Sequence, residues 1–490
     1  LIDAATEATA VEPGGITMRT TLLLLLLALL LAGSILPAQA DETAFAGYWD
    51  GSIALPGTSL GVRVHLLRDE GGAWSGTIDI PMQGAKDLPL SGIVARGDSI
   101  VFAIAGVPGN PTFTGKLEGD RIAGPFSQSG QTFEFELTRG TEEEAKRPQD
   151  PVPPFPYASE EVTFTNGDVT LAGTLTIPDG EAPFPAVVLL TGSGPQNRDE
   201  EVFDHRPFLV IADYLSRRGI AVLRYDDRGV GGSSGSISQS TIADFAGDAL
   251  AAVELLRDDE RIAPDRVGLL GHSEGALTAP LAATESDHVA FLVLLAAPGV
   301  PMSDLLALQA ESIARADGAS EETVKEVGAL NRELTSVLSG HMDPDSARAR
   351  IRDVILRQND LMPPESRPTG EVLERMIQSN IDNFSTPWFQ FFIGYDPRVA
   401  LRKVTVPVLV LNGTLDLQVV ESQNLPAVKA ALAEAGNTHV TALAMPDLNH
   451  MFQHAKTGSV SEYATIDETI APEVLETIYG WIAERFVGGR

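Results

Sequence analysis

Arg266-Val-Gly-Leu-Leu-Gly-His-Ser-Glu-Gly-Ala-Leu-Thr-Ala-Pro-Leu-Ala282 is the stretch on which the reading of this chain turns. It opens as a short apolar β-rich run and continues as an alanine-rich helix former, with Gly271-His-Ser-Glu-Gly275 joining the two as G-x-S-x-G. A serine on so sharp a strand-to-helix turn has strained backbone angles, and side chains two residues before or after it would collide with neighbouring segments. The same turn aims a helix N-terminus and the Glu274 amide at the serine, ready to hold an oxyanion. A second match, Gly231-Gly-Ser-Ser-Gly235, follows a Gly-rich loop and leads into more Ser and Gly instead of a helix, so Ser273 is the candidate nucleophile. The chain has no cysteine, which leaves Ser, Thr, Lys or a carboxylate for covalent chemistry and excludes disulfides and thiolate metal sites.

Outward from that stretch, continuous apolar runs recur at Ala186–Leu190, Ile220–Tyr225, Val289–Leu295, Val408–Leu411 and Val440–Ala444. Runs without alternation suit strands buried on both faces of a mostly parallel sheet, so the fold class is α/β. Helices are expected between them. Pro207 suits the first turn of one running from Phe208 to Arg218, with Gly219 just past its end. Ser240 is expected to cap the next, which runs to Arg257. From about Pro301 to Lys403 the pattern is helical only, which predicts a cap inserted over the strand C-termini, where such sheets place their sites. Ahead of this α/β domain (159–490), residues 41–140 alternate in short runs broken by Gly and Asp, such as Phe133-Glu-Phe-Glu136, and predict a small antiparallel β domain. Residues 141–158, with Glu142-Glu-Glu144 and Pro148, Pro151, Pro153, Pro154 and Pro156, read as an extended linker.

The 490 residues exceed what one core usually serves, consistent with two or three domains. With 67 acidic against 35 basic side chains the net charge is −32, which argues against a nucleic-acid partner. Residues 1–40 are a leader: Met18-Arg-Thr-Thr21, the leucine run to Leu31 and Ala38-Gln-Ala40 have the parts of a signal peptide, with Leu1–Thr17 upstream of its start. The run is too short to span a bilayer, so no stable anchor is expected after cleavage, and the protein is expected to be exported, periplasmic or secreted.

A serine nucleophile needs a base. Of eight histidines, only His450 and His454 follow the last expected strand; His450, in the polar loop Asp447-Leu-Asn-His-Met-Phe452, is preferred and His454 is its competitor. The orienting carboxylate is expected at Asp416, at the tip of the turn after Val408–Leu411, ahead of Glu421. A second oxyanion donor is expected from Thr191-Gly-Ser-Gly-Pro-Gln196, after Ala186–Leu190, and is assigned to the Ser193 amide beside that of Glu274.

Leu190-Thr-Gly-Ser-Gly-Pro-Gln-Asn-Arg-Asp-Glu200, Arg224-Tyr-Asp-Asp-Arg-Gly-Val-Gly-Gly-Ser233, Gly271-His-Ser-Glu-Gly275, Asn412-Gly-Thr-Leu-Asp-Leu-Gln-Val419 and Leu448-Asn-His-Met-Phe452 together resemble the α/β-hydrolase superfamily. More narrowly they resemble EstD-type carboxylesterases and serine-aminopeptidase-like hydrolases, over roughly Ser159–Arg490. The resemblance implies Ser273, Asp416 and His450 as a triad and a helical cap ending near Pro387–Phe392; Thr191 departs from the commoner His-Gly opening of the oxyanion loop. The expected activity is hydrolysis of small-molecule carboxylic esters without cofactor or metal, with Trp388, Phe389 and Phe392 as candidate walls of an acyl pocket. Two rivals stand beside it: a peptidase or amidase using the same triad, with Asp199 or Glu200 holding a substrate amine, and an exported binding protein on a hydrolase scaffold.

Overall fold

The computed structural model describes residues 42–487, apart from 56–57, 70, 81–84, 108, 129, 142–146, 341, 363 and 365–366. The expected leader, the acidic start of the linker at Glu142–Glu144 and His341 lie outside the described residues.

The first domain is built from β1 (Gly47–Leu55), β2 (Thr58–Arg68), β3 (Trp74–Ile80), β4 (Ala85–Arg96), β5 (Ser99–Ile104), β6 (Thr112–Glu118), β7 (Arg121–Gln128) and β8 (Gln131–Arg139). Each strand pairs with the next, and β1 pairs antiparallel with β8, so the small antiparallel domain is a closed barrel without a free edge. Alternation sets its two faces: along β8, Phe135 and Leu137 are buried while Glu134 and Glu136 point out. Gly97 and Gly119, at φ +60° and +65°, make the tight turns expected at Arg96-Gly-Asp98 and Glu118-Gly-Asp120. Aromatic rings pack the interior, where Phe113 has Phe102, Phe126 and Phe135 at centroid distances of 4.8, 4.7 and 5.0 Å.

The described part of the linker is a strap laid on the second domain. The Arg147 guanidinium donates to the carbonyls of Phe203, Ala464 and Ile466. Gln149 donates to the Ile470 carbonyl and accepts from the Thr469 and Ile470 amides. Asp150 forms a 2.6 Å ion pair with Arg206, its own side chain 3% exposed.

The second domain holds β9 (Tyr157–Asn166), β10 (Val169–Pro178), β11 (Phe184–Leu190), β12 (Ala221–Tyr225), β13 (Ile262–His272), β14 (Leu292–Leu295), β15 (Val408–Gly413) and β16 (Val440–Met445). Their order is β16-β15-β14-β13-β11-β12-β10-β9; β10 runs antiparallel to both neighbours, and the pairs from β12 to β16 are all parallel. This is an α/β-hydrolase sheet. β9 and β10 are not among the runs expected from apolar texture. β9 is an edge strand whose Glu160, Glu161 and Thr163 lie in an alternating, partly exposed pattern.

Between strands run α1 (Pro207–Ser216), α2 (Ile242–Arg257), α3 (Gly275–Glu285), the cap helices α4 (Met302–Ala316), α5 (Glu321–Ser339), α6 (Pro344–Leu361), α7 (Gly370–Phe384), α8 (Pro387–Ile393) and α9 (Arg398–Leu401), then α10 (Glu421–Glu434) and α11 (Pro472–Ile482). β11 to β15 are covered on both faces, which is why they read as unbroken apolar runs; the Val440–Ala444 run, expected to be covered likewise, forms the edge strand β16, where Leu443 and Ala444 are exposed. Val188, Leu269 and Val410 face α2, α3 and α10 through Val253, Ala276 and Val428; Val187, Leu270 and Leu411 share the other core with Ile211 of α1 and Ile478 of α11. The cap carries a small core of its own around Leu330, Val354 and Ile377.

Two local expectations are corrected. Helix α1 ends at Ser216 and not at Arg218, although Gly219 does take the left-handed conformation, at φ +88°. The residue capping α2 is Thr241 and not Ser240, because Asp244, three residues on, completes a reciprocal capping box with Thr241. Ser240 instead donates to the Ser236 carbonyl.

Candidate active site

The elbow follows from packing. β13 enters the turn fully buried, and Ser273 sits at φ +53°, where a non-glycine residue is strained and held only by its surroundings. Its amide donates to the Leu295 carbonyl at the end of β14, 3.0 Å away. A Cβ on Gly271 would lie 2.1 Å from the Gly275 carbonyl oxygen, and one on Gly275 would lie 2.1 Å from that of Leu190. Both glycines are therefore steric requirements of the turn, as the sequence reading expects.

Past β15, Asp416 lies in a turn that fixes its carboxylate. Oδ1 accepts from the amides of Gln418 and Val419, at 2.8 Å each, and Oδ2 lies 2.9 Å from His450 Nδ1. An ionised Asp416 accepts a hydrogen bond from Nδ1–H, which leaves Nε2 of a neutral ring with its lone pair. Gly413 permits the approach, since a Cβ there would meet the Leu448 carbonyl oxygen at 2.2 Å. The loop carrying His450 is further tied by Leu415 donating to Leu448 and Asn449 pairing with Gln453. His454 lies elsewhere, exposed and paired with Glu468 and Glu473, and Glu421 opens helix α10.

The loop after β11 closes on the elbow. A Cβ on Gly192 would be 3.5 Å from Ser273 Cβ, so this loop passes directly beside the serine. The Gly192 amide is spent on Glu200 Oε1, at 2.7 Å. The Ser193 and Glu274 amides donate to no other protein group among the described residues. Thr191 donates its hydroxyl to Asp227 Oδ1, and the Gln196 amide donates to Oδ2, so Asp227 braces the loop from the end of β12.

Sequence reasoning left the side chains of Asp227 and Glu274 unread, and it expected a different role for Glu200. Burial pushes Asp227 up to about 8, against its hydrogen bonds from Thr191 and Gln196 and with the charges of Glu274 and Glu200 adding to the rise. Burial likewise raises Glu274 to about 7, while the Trp388 indole N–H, 2.8 Å from Oε1, opposes it. Glu200, with Asp199 a candidate for holding a substrate amine, instead meets His272 Nδ1 at 2.8 Å; Asp199 pairs with Arg224. An acid directly after the nucleophile is visible in the sequence, but its burial is not.

A cleft of about 380 Å³ opens beside the oxyanion loop, between Gly194, Pro195, Arg228 and the cap residues Asn383, Thr386 and Trp388. Of the three aromatics expected to wall a pocket, Trp388 lines this cleft. Phe392 stacks beneath it at 5.4 Å, and Phe389 packs on Phe384 at 4.8 Å. Among the described residues no group of three or more His, Cys, Asp or Glu side chains is placed to hold a metal ion.

Residues 206–345, which include the elbow but not Asp416 or His450, match the family model described as "Serine aminopeptidase, S33". The chain is 28% identical over 333 residues to esterase EstD of Thermotoga maritima, covering 68% of this chain and 66% of EstD. It is 35% identical over 136 residues to esterase FrsA of Yersinia enterocolitica, covering 27% of this chain and 26% of FrsA. It therefore spans just under two thirds of the first curated relative and about a quarter of the second. Among solved structures, an esterase of Pyrococcus furiosus superposes with a TM-score of 0.41 at 18% identity, over 68% of this chain and 92% of that one. Est1E of Butyrivibrio proteoclasticus gives 0.38 at 18%, over 66% and 98%. At such scores the strand order described above, not the superposition, identifies the fold.

Proposed function

We propose that this α/β-hydrolase domain, similar in sequence to two esterases, hydrolyses small-molecule carboxylic esters by acyl transfer through Ser273. The observation that carries the reading is the buried Asp416–His450 contact of 2.9 Å; a serine on a strained strand-to-helix elbow accompanies it in the same domain. In the first half-reaction Ser273 Oγ attacks the ester carbonyl carbon as His450 Nε2 takes its proton. The carbonyl oxygen becomes an oxyanion facing the Ser193 and Glu274 amides, each such donor worth on the order of 10²–10³ in rate. Asp416 remains ionised and stabilises the imidazolium, which then protonates the departing alkoxide as the C–O bond breaks. Water repeats the sequence on the acyl-enzyme, giving its proton to His450, and the acid leaves as Ser273 recovers its own. Trp388 and the cleft beside it receive one side of the substrate. The leader read at Met18–Ala40 assigns this reaction to an exported protein.

A peptidase or amidase with the same triad is the second reading, and the family match at 206–345 is what favours it. Against it, Asp199 and Glu200, the acids expected to hold a substrate amine, are engaged with Arg224 and His272. One panel separates the readings: p-nitrophenyl esters of rising acyl length beside aminoacyl anilides, on wild type and Ser273→Ala. Ester turnover should exceed anilide turnover, and Ser273→Ala should lose it by on the order of 10⁵–10⁶. Faster anilide turnover would overturn the ester reading, and activity surviving in Ser273→Ala would overturn the mechanism.

A further inference from the structure

Behind the candidate triad lies a second histidine–carboxylate pair. His272, the residue before Ser273, is buried, with Nδ1 2.8 Å from Glu200 Oε1 and Nε2 3.0 Å from the backbone carbonyl oxygen of His450. A carbonyl oxygen can only accept, so Nε2 carries a hydrogen. Glu200 Oε1 already accepts the Gly192 amide at 2.7 Å, and when Glu200 is ionised the same oxygen accepts Nδ1–H as well. A ring that donates from both nitrogens is an imidazolium. Burial lowers the His272 pKa, but the Glu200 charge and hydrogen bond, the His450 carbonyl and the charge of Asp416 outweigh it and leave the pKa above the ordinary range. The pair is net neutral, which makes it tolerable in the interior.

Three segments meet at this one contact. Glu200 holds the oxyanion loop through Gly192, His272 is covalently part of the elbow, and its Nε2–H grips the peptide of His450. The surroundings are apolar, with Phe208, Met451 and Phe452 lining the small space beside the pair, so water is poorly placed to substitute for a lost partner. The His272 and His450 rings lie 4.8 Å apart.

We propose that Glu200 and His272 are positioning residues, an ionic clamp that sets the oxyanion loop and the His450 loop in register with Ser273. The proposal rests on the ester-hydrolase reading above. Neither side chain is assigned a contact with substrate; each acts through the backbone it holds.

The test has two arms on the full chain. Histidine ¹⁵N NMR of the wild type should show, beside the His454 ring that Glu468 and Glu473 hold between them, a second ring with both nitrogens protonated at neutral pH whose signals are lost in His272→Gln. A singly protonated His272 overturns the clamp as an ion pair, and this arm stands whether or not the variants fold. In the second arm, Glu200→Gln keeps an acceptor for Gly192 but removes the counter-charge. It and His272→Gln should lower kcat on a p-nitrophenyl ester by about 10²-fold, the scale of a 1 Å misplacement, with KM within about threefold. Labelling of Ser273 by a fluorophosphonate should slow in parallel. Folded variants with kcat within about twofold of wild type overturn the positioning role. Full activity in Ser273→Ala, or fluorophosphonate label on another residue, marks failure of the underlying ester reading instead, whatever the NMR arm shows of the clamp.

Discussion

The chain builds an eight-stranded sheet twice, and the two could hardly differ more in what they offer chemistry. In the barrel every strand returns antiparallel beside its neighbour, one face looks inward, and hairpins scatter the strand ends over both rims. In the open sheet the crossovers are parallel, so successive strands deliver their C-termini to one edge. Ser193, Ser273, Asp416 and His450 follow β11, β13, β15 and β16 in turn and arrive there from distant parts of the sequence. Burial sharpens the contrast. Among the described residues every buried polar or charged side chain lies at Asp150 or later, and the barrel interior is apolar throughout. A closed apolar barrel holds itself together; a working site requires polar groups that are buried and still partnered.

The largest test of that division is Phe113→Ala, at the centre of the barrel's aromatic cluster. It should cost the barrel about 3–5 kcal/mol. In calorimetry the barrel transition should drop while ester turnover of the folded protein stays within about twofold. Loss of activity in step with barrel melting would show the two sheets to be one cooperative unit. Next is Asp150→Ala on the strap, which removes a buried carboxylate that accepts from the Arg206 guanidinium and the Arg147 amide and should destabilise the α/β domain by about 2–3 kcal/mol. The barrel transition should not move.

The smallest effect separates the sheets by pH. Glu274, raised by burial to about 7 from 4.5, holds a proton in the folded state that the unfolded chain has already released. Its contribution to stability is thus full below about 4.5 and is lost as pH rises through about 7. The α/β transition should fall across that window in wild type and fall less in Glu274→Gln, which keeps an acceptor for Trp388. The barrel, lacking a buried acid among its described residues, is the internal reference.

What could be read from the sequence was what local pattern encodes. Unbroken apolar runs announced strands covered on both faces, and strand-end logic singled out Asp416 and His450, which the fold brings to 2.9 Å. β9 escaped because an edge strand mixes polar and apolar positions. Thr241 was decidable in advance: with two cap-capable residues side by side, the acid three positions after Thr241 settles the choice. Contacts between remote residues carry no such local signal. Nothing near Glu200 announces His272, 72 residues away, and nothing in a proline-rich linker announces that Arg147 reaches Ile466. Barrel closure is equally silent, since it depends on β1 meeting β8.

The two elbow glycines have a consequence for heredity. All nineteen alternatives carry a Cβ, and at either position that atom would sit 2.1 Å from a carbonyl oxygen of the main chain. No codon one base away from glycine encodes a gentler intermediate. Positions of this kind cannot drift by small steps: a lineage keeps both glycines or rebuilds the turn around their loss.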